Sequence, residues 1–192
     1  AVRATTLDPK DSTYWNNLGV YRYHAGDMTG AGDAFTRAAE LAPRDPVPQN
    51  NLAELALAEG RREEAVRLWQ EVVRSSPTST SAQLGRIQLA LLDKKPAEAE
   101  GHARAAVNQE PGSGWNRYLL GRALQDQGRD KEADAVYREA LDLDGHMPDL
   151  LAEAAACARR LGDAARARGY LDRALKLNPR HARARQLADE KP

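Results

Sequence analysis

A step of 34 residues runs through this chain and limits its fold more than any other feature. Ala31, Ala65, Ala99, Ala133 and Ala167 lie one step apart, as do Pro43, Pro77 and Pro111, with Pro179 in phase and Gly145 at the place of the missing proline. Gly26, Gly60, Gly128 and Gly162 keep the same spacing, and Lys94 stands where the remaining member of that series belongs. Three residue types locked in phase mark a repeat array, in which each unit buries its apolar face only by stacking on its neighbours.

The chemistry inside one step is that of two helices and a tight turn. In the first unit Trp15, Leu18 and Gly19 share a helical face, and Gly26-Asp27 stops that helix because glycine accepts the left-handed backbone that closes it. Ala31, Phe35 and Ala38 then recur at helical spacing until Pro43 prevents continuation. The second unit repeats the plan with Leu52, Ala53, Gly60, Ala65, Trp69 and Pro77, the fourth with Leu120, Gly121, Gly128, Ala133 and Tyr137, and the fifth with Ala155, Gly162, Ala167, Leu171 and Pro179. This divides the chain into the end of a preceding repeat helix at 1–11, where Ala4-x-x-Leu7 matches a repeat's last turn. Five repeats follow at 12–45, 46–79, 80–113, 114–147 and 148–181, then a capping helix and tail at 182–192. The third repeat departs from the pattern. Leu84-Gly85 comes two residues early and Lys94-Lys95-Pro96 replaces the turn glycine, which predicts a first helix rotated or shifted by about half a turn.

The period, the helix pairing and the run Trp15-x2-Leu18-Gly19, Ala31-x3-Phe35, Pro43 resemble the tetratricopeptide repeat family; the signature tyrosine alone is missing, Arg22 standing between Tyr21 and Tyr23. The resemblance implies an all-α fold: a right-handed superhelical solenoid of antiparallel helix pairs, with a concave face lined by the first helices that binds a peptide segment of a protein partner. On the positions that face inward in the family, the candidate residues are Asn16, Asn17, Val20 and Tyr23, then Asn50, Asn51, Glu54 and Leu57, then Gln88 and Leu91, then Trp115, Tyr118 and Arg122. The same rule adds Gln125, Asp126, Glu153, Arg159 and Arg160 farther along.

Two groups in that set have their own chemistry. Asn17 and Asn51 are one repeat apart, with Asn16 and Asn50 beside them. An amide donates and accepts at once, so such a ladder suits the grip of a peptide backbone. Asn16 and Asn50 are equally suited to cap or solvate the first turn of their helices. Leu84, Leu91, Trp115 and Tyr118 form an apolar patch for an anchor side chain with Arg122 as its charged contact, unless Trp115 has slid into the core. Relatives that hold the acidic tails of heat-shock chaperones use Lys, Asn and Arg on the first helices; the corresponding Asn16, Val20, Asn51, Ser81 and Gly85 supply no cation, so that work is not expected.

Composition trims the remaining classes. The 28 Lys and Arg balance the 28 Asp and Glu, and no run of five or more like charges occurs, which speaks against nucleic acid as partner; no apolar stretch is long enough for membrane insertion. Residues 148–192 hold an excess of positive charge in Arg159, Arg160, Arg166, Arg168, Arg173, Arg180, Arg183 and Arg185, either a surface for an acidic partner or arginines paired within their own helices with acids such as Asp163 and Asp172. His24, His102, His146 and His181 fall in different phases of the repeat, and Gly30-Ala-Gly32 lacks the third glycine of a dinucleotide fingerprint, so no catalytic set, metal or cofactor is expected. Cys157, on the presumed inner face, reads as a small buried hydrophobe. The expectation is a non-catalytic scaffold within a larger assembly, the Ala- and Arg-rich composition suggesting a bacterial source and a cytoplasmic or periplasmic setting. The alternatives are a self-associating scaffold and the regulatory arm of an enzyme.

Overall fold

The computed structural model describes residues 8–190, so the Ala4-x-x-Leu7 pattern lies outside the described residues. Among these residues the backbone forms eleven α-helices: α1 (Ser12–His24), α2 (Met28–Leu41), α3 (Pro46–Ala58), α4 (Arg62–Ser75), α5 (Thr80–Leu92), α6 (Pro96–Gln109), α7 (Gly114–Gln125), α8 (Asp130–Leu143), α9 (Pro148–Arg160), α10 (Ala164–Leu177) and α11 (Ala182–Asp189). Each first helix of a pair begins 34 residues after the last, at 12, 46, 80, 114 and 148.

Short-range chemistry sets the helix ends. The carboxylates of Asp11 and Asp45 accept the Thr13 and Val47 N–H groups at 2.8 and 3.0 Å, satisfying donors that the first turn leaves open. Each first helix closes with an N–H returning to a carbonyl five residues back, Asp27 to Arg22 at 2.9 Å and Arg61 to Ala56 at 2.8 Å, which requires a left-handed residue just before. Gly26, Gly60, Gly128 and Gly162 supply it with φ between 73° and 83°. Lys94 makes the same turn at φ 56°, the one described residue other than glycine with positive φ, and the Lys95 N–H still reaches the Ala90 carbonyl at 2.9 Å. The expected rotation of the third repeat's first helix is therefore corrected. α5 keeps the 34-residue step, and Ala82, Ile87 and Ala90 are buried where α3 buries Pro48, Ala53 and Ala56. The Leu84-Gly85 pair misled because Ile87 holds the position that is Gly or Ala in the other repeats.

The chain divides into two compact units, residues 1–89 and 90–192, the division falling inside α5. In the first unit Phe35 of α2 lies so close over Gly19 of α1 that a Cβ there would stand 2.4 Å from the ring. Around it Ala31, Phe35 and Leu55 form a cluster with Val20, Tyr23, Met28 and Leu52 packed against it. Trp69 of α4 is fully buried. Burial of such side chains stabilises by about 1.5–3 kcal/mol each, the term that lets helices this short persist. In the second unit Tyr137 of α8 closes over Gly121 of α7 in the same way, a Cβ there meeting the ring at 2.3 Å. α11 lays Ala184 and Leu187 on the cluster of Leu151, Ala155, Leu171 and Ala174 and leaves Arg185, Asp189 and Glu190 exposed, so a polar helix covers that end.

Candidate functional site

In the first unit the candidate residues project from α1, α3 and, at Gln88, from α5. The amide pairs differ from the in-register ladder: Asn51 Nδ2 donates to Asn16 Oδ1 at 2.8 Å, while Asn17 is exposed. Neither Asn16 nor Asn50 caps its helix, since Asp11 and Asp45 hold those places. The bond leaves the Asn16 NH2 and the Asn51 carbonyl oxygen as an adjacent donor and acceptor, the complement of one peptide unit. Asn50 is 3% exposed and its Oδ1 is buried. One repeat on, Gln88 Nε2 donates to Glu54 Oε1 at 2.6 Å, so a second polar bridge ties α3 to α5 in register. Val20 and Tyr23 are half-buried against the Phe35 cluster, and Leu57 is half-buried.

The second unit brings together Trp115, Tyr118 and Arg122, one helical turn apart along α7. The Trp115 and Tyr118 rings are 5.0 Å apart at 43°, and the Arg122 guanidinium sits 5.8 Å from the Tyr118 ring centre, within cation–π reach. Tyr118 and Leu91 are buried, whereas Trp115 is half-buried. Tyr137 lies behind Tyr118 at 6.5 Å and donates its hydroxyl to Gln125 Oε1 at 2.6 Å. Burial pushes its phenol well above the usual range, the Glu153 carboxylate adding to the effect, so the hydroxyl remains a donor and fixes the amide's orientation. Gln125 Nε2 then points to Glu153 at 3.3 Å, and Arg183 of α11 meets the other oxygen of Glu153 at 3.5 Å.

These groups border a concavity of about 450 Å³ lined by Arg122, Gln125, Asp130, Glu153, Arg160 and Arg183 among others. Three of these residues lie outside the sequence-based set: Asp130 and Arg183 line the concavity, and Tyr137 lies behind it. Arg183 lies two repeat steps beyond Trp115, so continuing the inward-facing rule into α11 would have reached it.

The C-terminal arginines bear out the local pairing in part, Arg166 meeting Asp163 at 3.2 Å three residues before it, and add partners that neither reading foresaw. They pair across repeats: Arg160 with Asp130 at 2.8 Å, Arg166 with Asp134 at 3.0 Å, and Arg183 with Glu153. Cys157 does not face inward. Its Sγ donates to the Asp130 carbonyl at 3.2 Å, and burial pushes the thiol up to about 11. Among the described residues no three His, Cys, Asp or Glu side chains are placed to hold a metal ion, and no helix is long and apolar enough to cross a membrane.

Comparison with known proteins gives a family model described as tetratricopeptide repeat over residues 1–46 and 50–114, and a second of the same description over 116–146. Cellulose synthase operon protein C of Pseudomonas fluorescens is 26% identical over 121 residues, covering 63% of this chain and 10% of that protein. Photosystem I assembly protein Ycf3 of Rippkaea orientalis is 32% identical over 87 residues, covering 38% of this chain and 50% of that protein. The chain thus spans half or less of the length of these relatives. Among solved structures, YrrB, described as a tetratricopeptide repeat protein with an unusual peptide-binding site, superimposes with a TM-score of 0.54 at 16% identity, covering 98% of this chain and 97% of that one.

Proposed function

Since the chain belongs to the tetratricopeptide repeat family, whose members mediate protein–protein interaction and assembly, we propose that it is a non-catalytic module that holds a peptide segment of a partner protein against its first helices. The observation that carries this reading is the Asn51–Asn16 bridge. It fixes two amides between adjacent repeats and leaves one donor and one acceptor to pair with a peptide backbone, independent of the partner's side chains. Asn17 offers a further amide beside them, and Val20, Tyr23 and Leu57 supply apolar surface. In the second unit the half-buried Trp115, stacked on Tyr118 with Arg122 beside it, is the anchor position, because aromatic and arginine side chains carry most of the energy of such contacts. The assembly role in the name of Ycf3 and the peptide-binding site for which YrrB is described support this use of the fold.

The test is selection of phage-displayed random peptides on the intact chain, followed by fluorescence anisotropy of the selected peptides. Asn51→Ala weakens by about tenfold or more the binding of peptides held by the first unit, as loss of a hydrogen bond does, and Trp115→Ala that of peptides held by the second, as loss of an aromatic anchor does. Arg37→Ala, on the exposed side of α2, leaves binding unchanged. Selected peptides that bind all three variants equally would place recognition elsewhere and remove the reading.

A further inference from the structure

Gly145 stands where the other four repeats carry Pro43, Pro77, Pro111 and Pro179, and glycine restores the backbone N–H that proline lacks. It does so inside a turn in which a side-chain oxygen folds over the next peptide unit to accept the N–H two residues on. Asp8, Asp45 and Asn178 make this turn around Pro9, Pro46 and Pro179, at 3.1, 3.0 and 3.0 Å. Asp144 makes it around Gly145, its Oδ1 accepting the His146 N–H at 3.0 Å. Asp11 makes it around Ser12, whose peptide is held by the helical backbone of α1. No other Asp or Asn of the chain precedes glycine. The Asp144 side chain is 48% exposed, and the Gly145 N–H donates to no acceptor among the described residues.

We infer that Asp144–Gly145 is a site of backbone modification, at which the aspartate converts to isoaspartate with water as the only co-reactant. The Gly145 nitrogen attacks Cγ of Asp144. The proton of that nitrogen and the hydroxyl of the protonated carboxyl leave together as water, and a five-membered succinimide closes. Water then opens the ring. Cleavage of the bond from nitrogen to Cγ returns aspartate, while cleavage of the bond to the Asp144 main-chain carbonyl carbon leaves the chain running through Cβ and Cγ, with no net gain or loss of atoms. The turn lays the carboxyl along the peptide whose nitrogen attacks, which raises its effective concentration. Glycine puts no Cβ in the way of closure, and the exposed loop admits the water. The added main-chain carbon falls between the Asp144 N–H, which closes α8 on the Ala140 carbonyl at 2.9 Å, and the Gly145 carbonyl, which accepts from Arg173 of α10 at 3.2 Å. Isomerisation thus displaces the carbonyl by which the fifth repeat holds the end of the fourth.

The experiment ages the 192-residue chain at neutral pH and body temperature for several weeks. Samples are given labelled S-adenosylmethionine and a protein isoaspartyl methyltransferase, which methylates isoaspartate and leaves ordinary aspartate alone, and proteolytic peptides locate the label. Methyl acceptance rises with age on the peptide that contains Asp144 and Gly145. It is lost in Gly145→Pro, which restores the residue of the other repeats, and in Asp144→Glu, whose longer side chain cannot close the five-membered ring; circular dichroism checks that both keep their helices. Acceptance on this peptide that stays at the level of fresh protein overturns the assignment. So does label that rises as fast in the folded variants, or that accumulates first at Asp11–Ser12.

Discussion

Gly60 and Gly101 permit a test of the turn chemistry in which only the backbone differs. A Cβ added at either site has no neighbouring atom within 4 Å, so Gly→Ala introduces no clash and fills no space. Gly60 closes α3 at φ 79°, while Gly101 lies inside α6. An alanine forced into the left-handed region costs about 1–2 kcal/mol, offset in part by the ~0.4–1 kcal/mol that alanine recovers by restricting the unfolded chain. Gly60→Ala therefore destabilises by about 1 kcal/mol. In the helix interior the unfolded-state gain acts without the strain, and Gly101→Ala stabilises by roughly 0.5–1 kcal/mol. Chemical denaturation followed by circular dichroism reads both shifts, with hydrogen exchange of the α3–α4 and α6 amides to confirm where each acts, because repeats do not all unfold together. A Gly60→Ala variant as stable as the parent would refute the premise that the turn needs a left-handed residue. Lys94→Gly supplies the converse: it relieves strain at φ 56° and stabilises by up to about 1 kcal/mol.

Other consequences follow from the packing and the charges. Gly121→Ala drives a Cβ into the Tyr137 ring and destabilises by about 1–3 kcal/mol, with a fall in near-ultraviolet dichroism from the displaced tyrosines. Glu100 accepts from Gln127 and pairs with Arg129 and Arg104, contacts that hold its carboxyl below the ordinary range. Its contribution is present above its ordinary value and disappears as pH falls through the lowered folded value, so Glu100→Gln flattens the loss of stability below about pH 4.5 in acid titrations. The Cys157 thiol, raised to about 11, behaves oppositely. Its contribution is intact below the ordinary thiol range and is lost as pH climbs towards the folded value, and a disulfide reagent labels it at pH 8 only as fast as the second unit opens. Labelling at the rate of a small free thiol would contradict the burial.

The 34-residue step, the helix pairs and the glycine turns were legible because each rests on chemistry within a few residues of chain. Even Lys94 was marked by its position, although only the structure shows that it adopts glycine's conformation. The third repeat was harder to read. Ile87 is buried at a position that is small elsewhere, and Ala103 at one that elsewhere carries Phe35, Trp69, Tyr137 or Leu171; this exchange of sizes leaves the helical period intact but hides the motif. At the site, the sequence indicated which face of α1 and α3 holds amides, but not that Asn51 pairs with Asn16 instead of aligning with Asn17. That choice depends on how one helix is offset from the next, a three-dimensional quantity without a local signal. The local Arg166–Asp163 pair was legible, but the cross-repeat partners were not, since a partner thirty residues away is invisible to an i, i+4 rule.

Arg160–Asp130 and Arg166–Asp134 join the fourth repeat to the fifth, and Arg183–Glu153 joins the fifth to α11. In an array whose cooperativity comes from neighbour terms, ionic strength then acts on the coupling between units as well as on pairs within one repeat such as Arg117–Glu139. Added salt broadens the melting transition of the second unit before it lowers the midpoint, so the sharpness of unfolding becomes a quantity that the solvent sets.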